Sequence, residues 1–268
     1  MFKAVLIKYN IPIITAFLII GLLILSRFYR YSLGDTYIFF SPPTWQHWFG
    51  TDVIGNDIFL KSTSALFIAV ITLIIVLPAI YIGGLLIGIL FSYFDNPKLR
   101  EFFLNLAHYW ITLPILLIAI FLLILVGSGQ GNIIGILIFV LLPSQALYVY
   151  NQMEEAKKQD FVIAKRSYGF SKGYIFLHHL FPYIRNSFNN YTLSRTPEIL
   201  IMDLTFNFLG LGVQSPQSSF GRMLFDGLSF MFSAWWMWVF PVILVILLFL
   251  IINWYAARII SREKINYG

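Results

Sequence analysis

Long apolar runs separated by short polar segments are the feature that most restricts the fold of this chain. Each run is long enough, with its flanks, to cross the ~30 Å hydrocarbon core of a lipid bilayer. The runs cover residues 11–25, 64–94, 102–126, 133–150, 187–213 and 238–260. Because backbone groups inside lipid must satisfy one another's hydrogen bonds, such runs predict helices. We therefore expect an all-α membrane protein with six transmembrane helices. The third is expected to be broken by Pro114, and the cluster of Gly83, Gly84 and Gly88 in the second is expected to allow close helix packing.

The composition supports a membrane protein and argues against several other classes. Hydrophobic residues make up 59% of the chain and charged residues 11%, whereas about a quarter of a soluble domain is charged. The chain has no cysteine, which excludes a disulfide framework and a thiolate metal site. Its four histidines are dispersed, so no metal site is predicted. The net charge of +6 comes from basic residues that flank the apolar runs, which indicates contact with anionic membrane lipids and no nucleic-acid binding.

The positions of the basic residues predict the orientation of the chain. Most of the lysines and arginines fall at the two ends, in residues 95–101 and in residues 151–186. Since positive charge resists translocation, these segments and both termini are predicted to be cytoplasmic. Residues 1–28 are interpreted as the N-terminal end and a retained first span, because no small-residue cleavage site follows the apolar run. Residues 29–63 are expected to form an extracytoplasmic loop, and residues 64–268 a core of five further spans.

The polar segment 151–186 has a pattern of its own. Ala164 lies inside a short helical pattern, Gly169 can adopt the left-handed conformation that ends a helix, and Ser171 can cap the next helix. The segment therefore predicts a rigid helix–turn–helix that projects from the membrane between the fourth and fifth spans. The alternative is a basic loop that only sets the topology.

The same segment resembles the EAA motif of binding-protein-dependent ABC importer permeases, through Ala164, Gly169 and Leu180-Phe181-Pro182. In that family the loop forms the coupling helices that dock on the ATPase subunit. Ile163 and Lys165 stand where a glutamate and a second alanine are usual, and a hydrophobic residue at the first position is similar to the peptide and nickel branch. The resemblance implies that the ATPase-coupling residues are Ala164, Lys165, Ser167, Gly169, Phe170, Ser171 and Pro182.

A turn-rich stretch before the second apolar run carries two aspartates. Asp52 and Asp57 can accept hydrogen bonds from their own backbone, and we expect them to cap turns. A cation site that also used Thr51 would need more oxygen ligands than this loop supplies. The stretch resembles the signature before the second span of dipeptide, oligopeptide and nickel permeases, with Trp48 in place of a proline and Asn56 in place of an arginine. The matching residues are Gly50, Thr51, Asp52, Gly55 and Asp57.

A second signature follows the fifth apolar run, in residues 204–224. Its glycines and its Pro and Ser residues indicate a helix end and a loop, and the aromatic segment that continues to Trp236 is expected to lie along the outer membrane interface. The stretch is similar to another signature of the same permeases, with Asn207, Ser215 and Phe220 as departures. The matching residues are Gly210, Gly212, Gln214, Pro216 and Gly221.

Charged residues inside the fifth apolar run are candidates for the translocation path. Arg195 and Glu198 are three residues apart, so they share one helix face and can pair. Asp203 follows on the same run. Ionisable groups within a span usually face protein, a partner or water, so both a structural role and a path-lining role remain open for these side chains.

Three signatures in family order over residues 45–230 identify the chain as resembling the permease subunits of bacterial dipeptide, oligopeptide and nickel ABC importers. The resemblance implies a type I importer permease fold in the cytoplasmic (inner) membrane, and it implies alternating access. It also implies a second homologous permease that completes a heterodimer, two ATP-binding subunits and an extracytoplasmic substrate-binding protein. The chain has no phosphate-binding loop, so we expect no cofactor and no enzymatic activity here, with ATP and Mg²⁺ on the partner ATPases.

The cargo remains open between several classes. Peptides are the leading prediction, and nickel or a metal–chelator complex is the alternative within the family. A self-contained channel or secondary transporter is an alternative of another class, although no internal repeat supports it. An intramembrane enzyme would need a catalytic constellation such as paired membrane aspartates or H-E-x-x-H, and the sequence contains none.

Overall fold

The structure, a computed structural model, describes residues 39–93, 96–214 and 217–265 of the chain. The first predicted span, residues 11–25, lies outside them. The described residues form two compact units. The first unit comprises residues from 39–72, 128–130 and 203–248, and the second comprises residues from 73–127, 131–202 and 249–265.

Both units are built from helices. In chain order the helices are α1 Ile58–Tyr93, α2 Pro97–Thr112, α3 Ile115–Val126, α4 Gln130–Ala156, α5 Asp160–Ser167, α6 Lys172–Ile175, α7 Phe181–Leu193, α8 Thr196–Phe208, α9 Phe220–Leu228 and α10 Trp236–Ile265. A π-helical turn, Phe176–Leu180, joins α6 to α7. Among the described residues the β-structure is one isolated bridge between Thr51 and Asp57. The all-α prediction is therefore confirmed for this part of the chain.

Three of these helices are long and apolar enough to cross a membrane. They are α1, α4 and α10, the last over Trp236–Arg258. The second, fourth and sixth predicted spans thus correspond to single helices. Helix α1 begins before the predicted span, at Ile58, so the end of the predicted loop 29–63 is helical. Helix α4 begins at Gln130 and continues to Ala156, which makes the start of segment 151–186 helical too.

The third predicted span, residues 102–126, is divided between two helices. Helices α2 and α3 replace it, and they meet at an angle of 93°. The break lies at Leu113 and Pro114, where Leu113 has an extended backbone with φ −77° and ψ 147°. Proline disfavours the helical conformation of the residue before it and supplies no N–H, so the break predicted at Pro114 is confirmed. The two helices count as one broken span or as a re-entrant pair.

The fifth predicted span, residues 187–213, also differs from a continuous helix. Helices α7 and α8 have 13 residues each and are separated by Ser194 and Arg195. The Ser194 hydroxyl donates to the Tyr191 carbonyl at 2.7 Å and so satisfies a carbonyl group in the last turn of α7. Pro197 stands in the first turn of α8, a position where its missing N–H removes no helical hydrogen bond. The Ser-Arg-Thr-Pro sequence thus favours a new helix start at this point.

Glycines in the second unit allow α1 and α4 to pack closely. A Cβ added to Gly84 would lie 2.6 Å from the Gln145 Cβ, and one added to Gly88 would lie 2.6 Å from the Val149 Cβ. Both distances are too short for real carbon–carbon contacts. The prediction that this glycine cluster permits close helix packing is therefore confirmed.

Candidate functional site

The helix–turn–helix predicted in segment 151–186 is present in the second unit. Helix α5 ends in a Schellman motif, in which Gly169 N donates to Arg166 O at 3.0 Å and Phe170 N donates to Lys165 O at 3.3 Å. Gly169 has a φ of +80°, which confirms the predicted left-handed turn. Glycine reaches this conformation without the steric penalty that a Cβ imposes.

The segment after the turn is a nearly continuous helical element. Ser171 caps α6 by accepting a hydrogen bond from Tyr174 N at 3.3 Å, as predicted. The π-helical turn closes with a hydrogen bond from Phe181 N to Phe176 O. Pro182 has no N–H with which to continue the regular i to i−4 pattern, which gives a local reason for the wider turn. A defined hydrogen-bonded path thus runs from the glycine turn into α7.

Buried side chains hold this segment against the end of α4. The cluster consists of Val149, Met153, Ala156, Val162, Ile175, Leu180, Ile184 and Phe188. Each fully buried apolar side chain of this size contributes about 1.5–3 kcal/mol relative to exposure. Because members come from α4, α5, α6, the π-helical turn and α7, the helix–turn–helix is a packed projection rather than a mobile loop.

The predicted coupling residues lie on the outer surface of this projection. Exposed members are Ala164, Ser167, Gly169, Phe170, Ser171 and Pro182. Lys165 is half-buried, and its Nζ lies 5.2 Å from the centre of the Phe170 ring, within range of a cation–π interaction. The lysine that departs from the family motif is therefore held against its own turn.

A cluster at the base of the projection was missed by the sequence analysis. Lys157 Nζ donates to the carbonyl oxygen of Ser92 and to Glu154 Oε1, the latter at 2.7 Å. It also lies 4.6 Å from the centre of the Tyr93 ring. The spacing of Glu154 and Lys157 was a signal for their pair, but the bond to Ser92 spans 65 residues and has no local pattern. The lysine satisfies a carbonyl at the end of α1 and ties that end to α4.

Arg195 and Glu198 form the predicted ion pair at the junction of α7 and α8. The Arg195 Nη1 and Glu198 Oε2 atoms are 2.7 Å apart, and both side chains are half-buried. The guanidinium also donates to the Tyr191 hydroxyl and lies 4.7 Å from the centre of that ring. Tyr191 is four residues before Arg195, a spacing that could have identified it as a partner.

Asp203 belongs to the first unit and has different partners. Its side chain is 5% exposed, and Gln130 Nε2 donates to its Oδ1 at 2.6 Å. Gln130 Nε2 also lies 2.8 Å from the Thr72 hydroxyl, and Asn207 Nδ2 donates to the Asp203 carbonyl at 2.9 Å. Among the described residues, the groups that reach the carboxylate are therefore amides rather than cations. Sequence reasoning named Asp203 but missed its shell, whose members are far apart in the chain.

The signature before the second span, which contains Asp52 and Asp57, folds into a set of capped turns. Asp52 Oδ1 accepts from Ile54 N at 3.0 Å and from Asn56 N at 2.8 Å. Asp57 Oδ1 accepts from Phe59 N at 2.7 Å and so caps the start of α1. Gly50 and Gly55 have φ angles of +76° and +82°. The interpretation of both aspartates as turn caps is confirmed.

The remaining carboxylate oxygens of this loop face basic side chains. Asp52 Oδ2 lies 2.8 Å from Lys61 Nζ, and Asp57 Oδ2 lies 2.8 Å from His47 Nδ1. Thr51 uses its carbonyl to accept from the indole of Trp236 at 3.1 Å. In the part of the chain that the structure describes, no group of three or more His, Cys, Asp or Glu residues is placed to hold a metal ion.

The second signature closes α8 and brings α9 against it. Gly210, with a φ of +78°, ends α8, and Leu211 N donates to Phe206 O at 2.9 Å. Asn207 Oδ1 accepts from Val213 N at 3.0 Å, so this departure from the family pattern holds the turn itself. Gln214 Nε2 donates to Gly210 O at 3.2 Å. Pro216 lies outside the described residues.

Two further glycines of the second signature occupy positions where a larger residue would not fit. A Cβ on Gly212 would overlap the Asn207 Oδ1, and a Cβ on Gly221 would lie 2.5 Å from Phe208 N and collide with the Leu204 carbonyl. Gly221 therefore lets the first turn of α9 contact the backbone of α8. These matches to the signature have a direct packing explanation in this chain.

Comparisons with known proteins agree with the three signatures. Residues 84–265 match the family model described as "Binding-protein-dependent transport system inner membrane component". The dipeptide transport system permease protein of Bacillus subtilis is 30% identical over 208 residues, which are 75% of this chain but 62% of that protein. The oligopeptide transport system permease protein of the same organism is 28% identical over 234 residues, 85% of this chain and 75% of that protein. The glutathione transport system permease protein of Shigella dysenteriae is 30% identical over 214 residues, 79% of this chain and 69% of that protein.

A solved structure shares the fold. A chain from the inward-facing MetNI methionine ABC transporter superposes with a TM-score of 0.62 at 16% identity, covering 75% of this chain and 95% of that chain. The expected importer permease fold is thereby confirmed at the level of architecture. The family match over residues 84–265 shows that the chain belongs to the inner membrane components of binding-protein-dependent transport systems, the permease family of ABC importers.

Proposed function

We propose that this chain is one permease subunit of an ATP-driven importer and forms half of the translocation path for dipeptides or oligopeptides. The observation that carries the proposal is the packed helix–turn–helix at residues 160–193, with its outer surface exposed, inside a chain of this permease family. The curated relatives named for dipeptides and oligopeptides support a peptide cargo. Nickel or a metal–chelator complex is the alternative cargo within the family.

The proposed topology has six spans and cytoplasmic termini. Residues 11–25 supply the first span and α1 the second. Helices α2 and α3 together supply the third span, α4 the fourth and α10 the sixth. The fifth consists of the end of α7, the junction and α8. Residues 187–208 extend over about 30 Å as a helix, which matches the bilayer core. The cytoplasmic side is assigned from the basic residues of the helix–turn–helix.

Coupling to ATP hydrolysis is proposed to run through the exposed surface of α5 and α6. Closure of two partner ATP-binding subunits, which hold ATP and Mg²⁺, pushes on this surface. The buried cluster that contains Ile184 and Phe188 transmits the displacement to α7, because a close-packed interior moves as a body. A second homologous permease completes the heterodimer, and an extracytoplasmic binding protein delivers the cargo.

The side chains proposed to line or shape the path are Arg195, Glu198 and Asp203. Arg195 and Glu198 neutralise each other at a break in the backbone of the proposed fifth span. Irregular backbone at membrane depth is tolerated where it is buried in protein or lines a cavity. The Asp203 carboxylate is contacted by the side-chain amides of Gln130 and Asn207, which stabilise it without a counter-ion.

Co-purification tests the proposal. We expect the tagged chain, extracted in mild detergent, to bring a second permease and ATPase subunits that mass spectrometry identifies, and the assembly to hydrolyse ATP. A lone oligomer without ATPases that conducts ions or takes up solutes by itself would contradict the proposal and support the channel or secondary-transporter alternative.

A further inference from the structure

The junction between α7 and α8 combines irregular backbone with opposite charges. Arg195 N donates to Thr192 O at 3.1 Å, a tight turn that interrupts the regular helical pattern, and Ser194 is exposed. Helix breaks within membrane spans place polar backbone and side-chain groups where solutes bind. The side-chain exposures of Arg195 and Glu198 are 20% and 33%, so both charged groups are partly accessible.

Two stacked tyrosines hold the Arg195 guanidinium in place. The Tyr191 ring stacks on Tyr148 with a centroid distance of 3.9 Å and an angle of 5°, and Tyr148 donates to Ser187 O at 3.2 Å. Arg195 lies over this stacked pair and is held by the Tyr191 hydroxyl. Its Nε is buried, so a ligand would meet the terminal Nη1 that holds Glu198. A guanidinium that Tyr191 holds in place is suited to bind a carboxylate through such a donor.

We propose that this junction is a substrate subsite for a dipeptide zwitterion, in which Arg195 binds the terminal carboxylate and Glu198 binds the terminal ammonium. The inference rests on the proposed function, because it places the subsite on the translocation path. In the empty protein the two side chains neutralise each other at 2.7 Å, so no uncompensated charge remains in the span. The substrate carboxylate takes the place of Glu198 beside Arg195, and the substrate ammonium takes the place of Arg195 beside Glu198. Each charged side chain therefore keeps a partner of opposite sign.

The geometry also limits the length of the ligand. An extended dipeptide spans at most about 7 Å, whereas a tetrapeptide spans about 14 Å. Adjacent side chains at i and i+3 can reach both ends of the shorter ligand, because their Cβ atoms are about 5–6 Å apart. We therefore expect a preference for dipeptides with both termini free. Long peptides and peptides with a blocked amino group lose one of the two contacts.

Saturation-transfer NMR on the purified permease–ATPase assembly, without the binding protein, measures this preference. The probes are Ala-Ala, N-acetyl-Ala-Ala and tetra-alanine. The test variant is the double substitution Arg195→Gln/Glu198→Gln, which removes both charges together and leaves no unpaired ion. The matched control is Arg222→Gln/Asp226→Asn, which removes an ion pair of 3.1 Å on α9. Size-exclusion profiles of both variants report whether each assembly is intact.

We expect wild type and the control variant to bind Ala-Ala, and the test variant to bind it at least about tenfold more weakly, since charge-assisted hydrogen bonds are lost. N-acetyl-Ala-Ala and tetra-alanine should bind the wild type about tenfold more weakly than Ala-Ala does. Equal binding of Ala-Ala by wild type and an intact test variant would overturn the subsite, as would no binding by the wild type at millimolar concentration. Failure of the proposed function has a different signature, namely that no ATPase subunits co-purify at all.

Discussion

Two glycine turns in this chain share a hydrogen-bonding pattern and differ in their surroundings. Gly169 ends α5 and Gly210 ends α8, both with left-handed φ angles and with a residue after the glycine that bonds back to the helix. A Cβ on Gly169 or on Gly210 would meet no described atom within 4 Å, but the residues that follow Gly210 are crowded. A Cβ on Gly212 would overlap the Asn207 side chain, and one on Gly221 would collide with the backbone of α8. Identical local chemistry therefore serves an exposed surface in one unit and a buried helix contact in the other.

The difference predicts which substitutions affect folding and which affect only coupling. At a crowded glycine an added side chain displaces neighbouring backbone, so the free energy of unfolding decreases. At the open turn the cost is limited to the conformation of one residue, and assembly should survive.

The largest effect is expected for Gly221→Ala at the crowded contact between α9 and α8. Its new Cβ collides with the Leu204 carbonyl, and neither backbone can move without separating α9 from α8. We expect a loss of about 3 kcal/mol, at the upper end of overpacking costs, and a strongly reduced yield of monodisperse protein. Gly135→Ala is the control, because its Cβ meets no described atom within 4 Å in α4. Equal melting temperatures and yields for the two variants would refute the packing explanation.

An intermediate effect is expected for Asp203→Asn in the amide-lined cluster. The substitution keeps the shape and an Oδ1 acceptor for Gln130 Nε2 but removes the negative charge, so the 2.6 Å hydrogen bond loses its charge assistance. We expect uptake to fall by about tenfold while the assembly persists, since a hydrogen bond to a charged group is worth roughly 1.5–3 kcal/mol. Uptake per assembled complex is the measurement, with Asp226→Asn on the surface of α9 as control. Unchanged uptake kinetics would leave Asp203 with a structural role only.

A smaller effect on stability, but a specific effect on coupling, is expected for Gly169→Val in the open turn. A side chain in the left-handed conformation costs about 1–2 kcal/mol, more when it is β-branched, and the turn should distort. We expect ATP hydrolysis to continue while uptake per ATP falls. Gly135→Val adds the same side chain at an exposed glycine of α4 with an ordinary backbone angle, away from the proposed coupling surface, and should retain coupling. Wild-type coupling in Gly169→Val would rule out a role for the turn.

The smallest effect is expected for Lys165→Ala. The variant removes a cation–π contact of 5.2 Å between the half-buried Lys165 and the Phe170 ring, a loss of about 0.5–1 kcal/mol where solvent still reaches the cation. We expect a small decrease in melting temperature and normal assembly with the ATPases. A loss of assembly in this variant would mean that Lys165 contacts the ATPase directly rather than supporting its own turn.

Features with short sequence separation could be predicted, and features with long separation could not. The Gly169 turn, the Ser171 cap, the Asp52 turn and the Arg195–Glu198 pair each depend on a few consecutive residues, and all are present. The shell of Asp203 joins residues 73 positions apart, and the Trp236 bond to Thr51 joins residues 185 positions apart. No local pattern encodes such pairs, because tertiary packing decides them.

The two interrupted spans show a different limit. At Pro114 the break was predicted, but the 93° angle between α2 and α3 was not, since a proline permits many directions after it. At Ser194 and Arg195 the local signal was present in the following Thr196 and Pro197, yet the apolar run on either side indicated one continuous helix. Hydrophobicity reports the length of a run and does not report where its backbone breaks.

The most direct test of the coupling account uses the absence of cysteine from this chain. Ser167→Cys, at the exposed end of α5, is labelled with a photoactivatable maleimide cross-linker in the purified assembly, and Ser233→Cys, an exposed serine of the first unit, is the control. The account predicts cross-links from position 167 to an ATPase subunit, with a yield that changes on ATP binding, and none from position 233. Equal cross-linking from both positions, or none from position 167 in an assembly that contains ATPases, would contradict it.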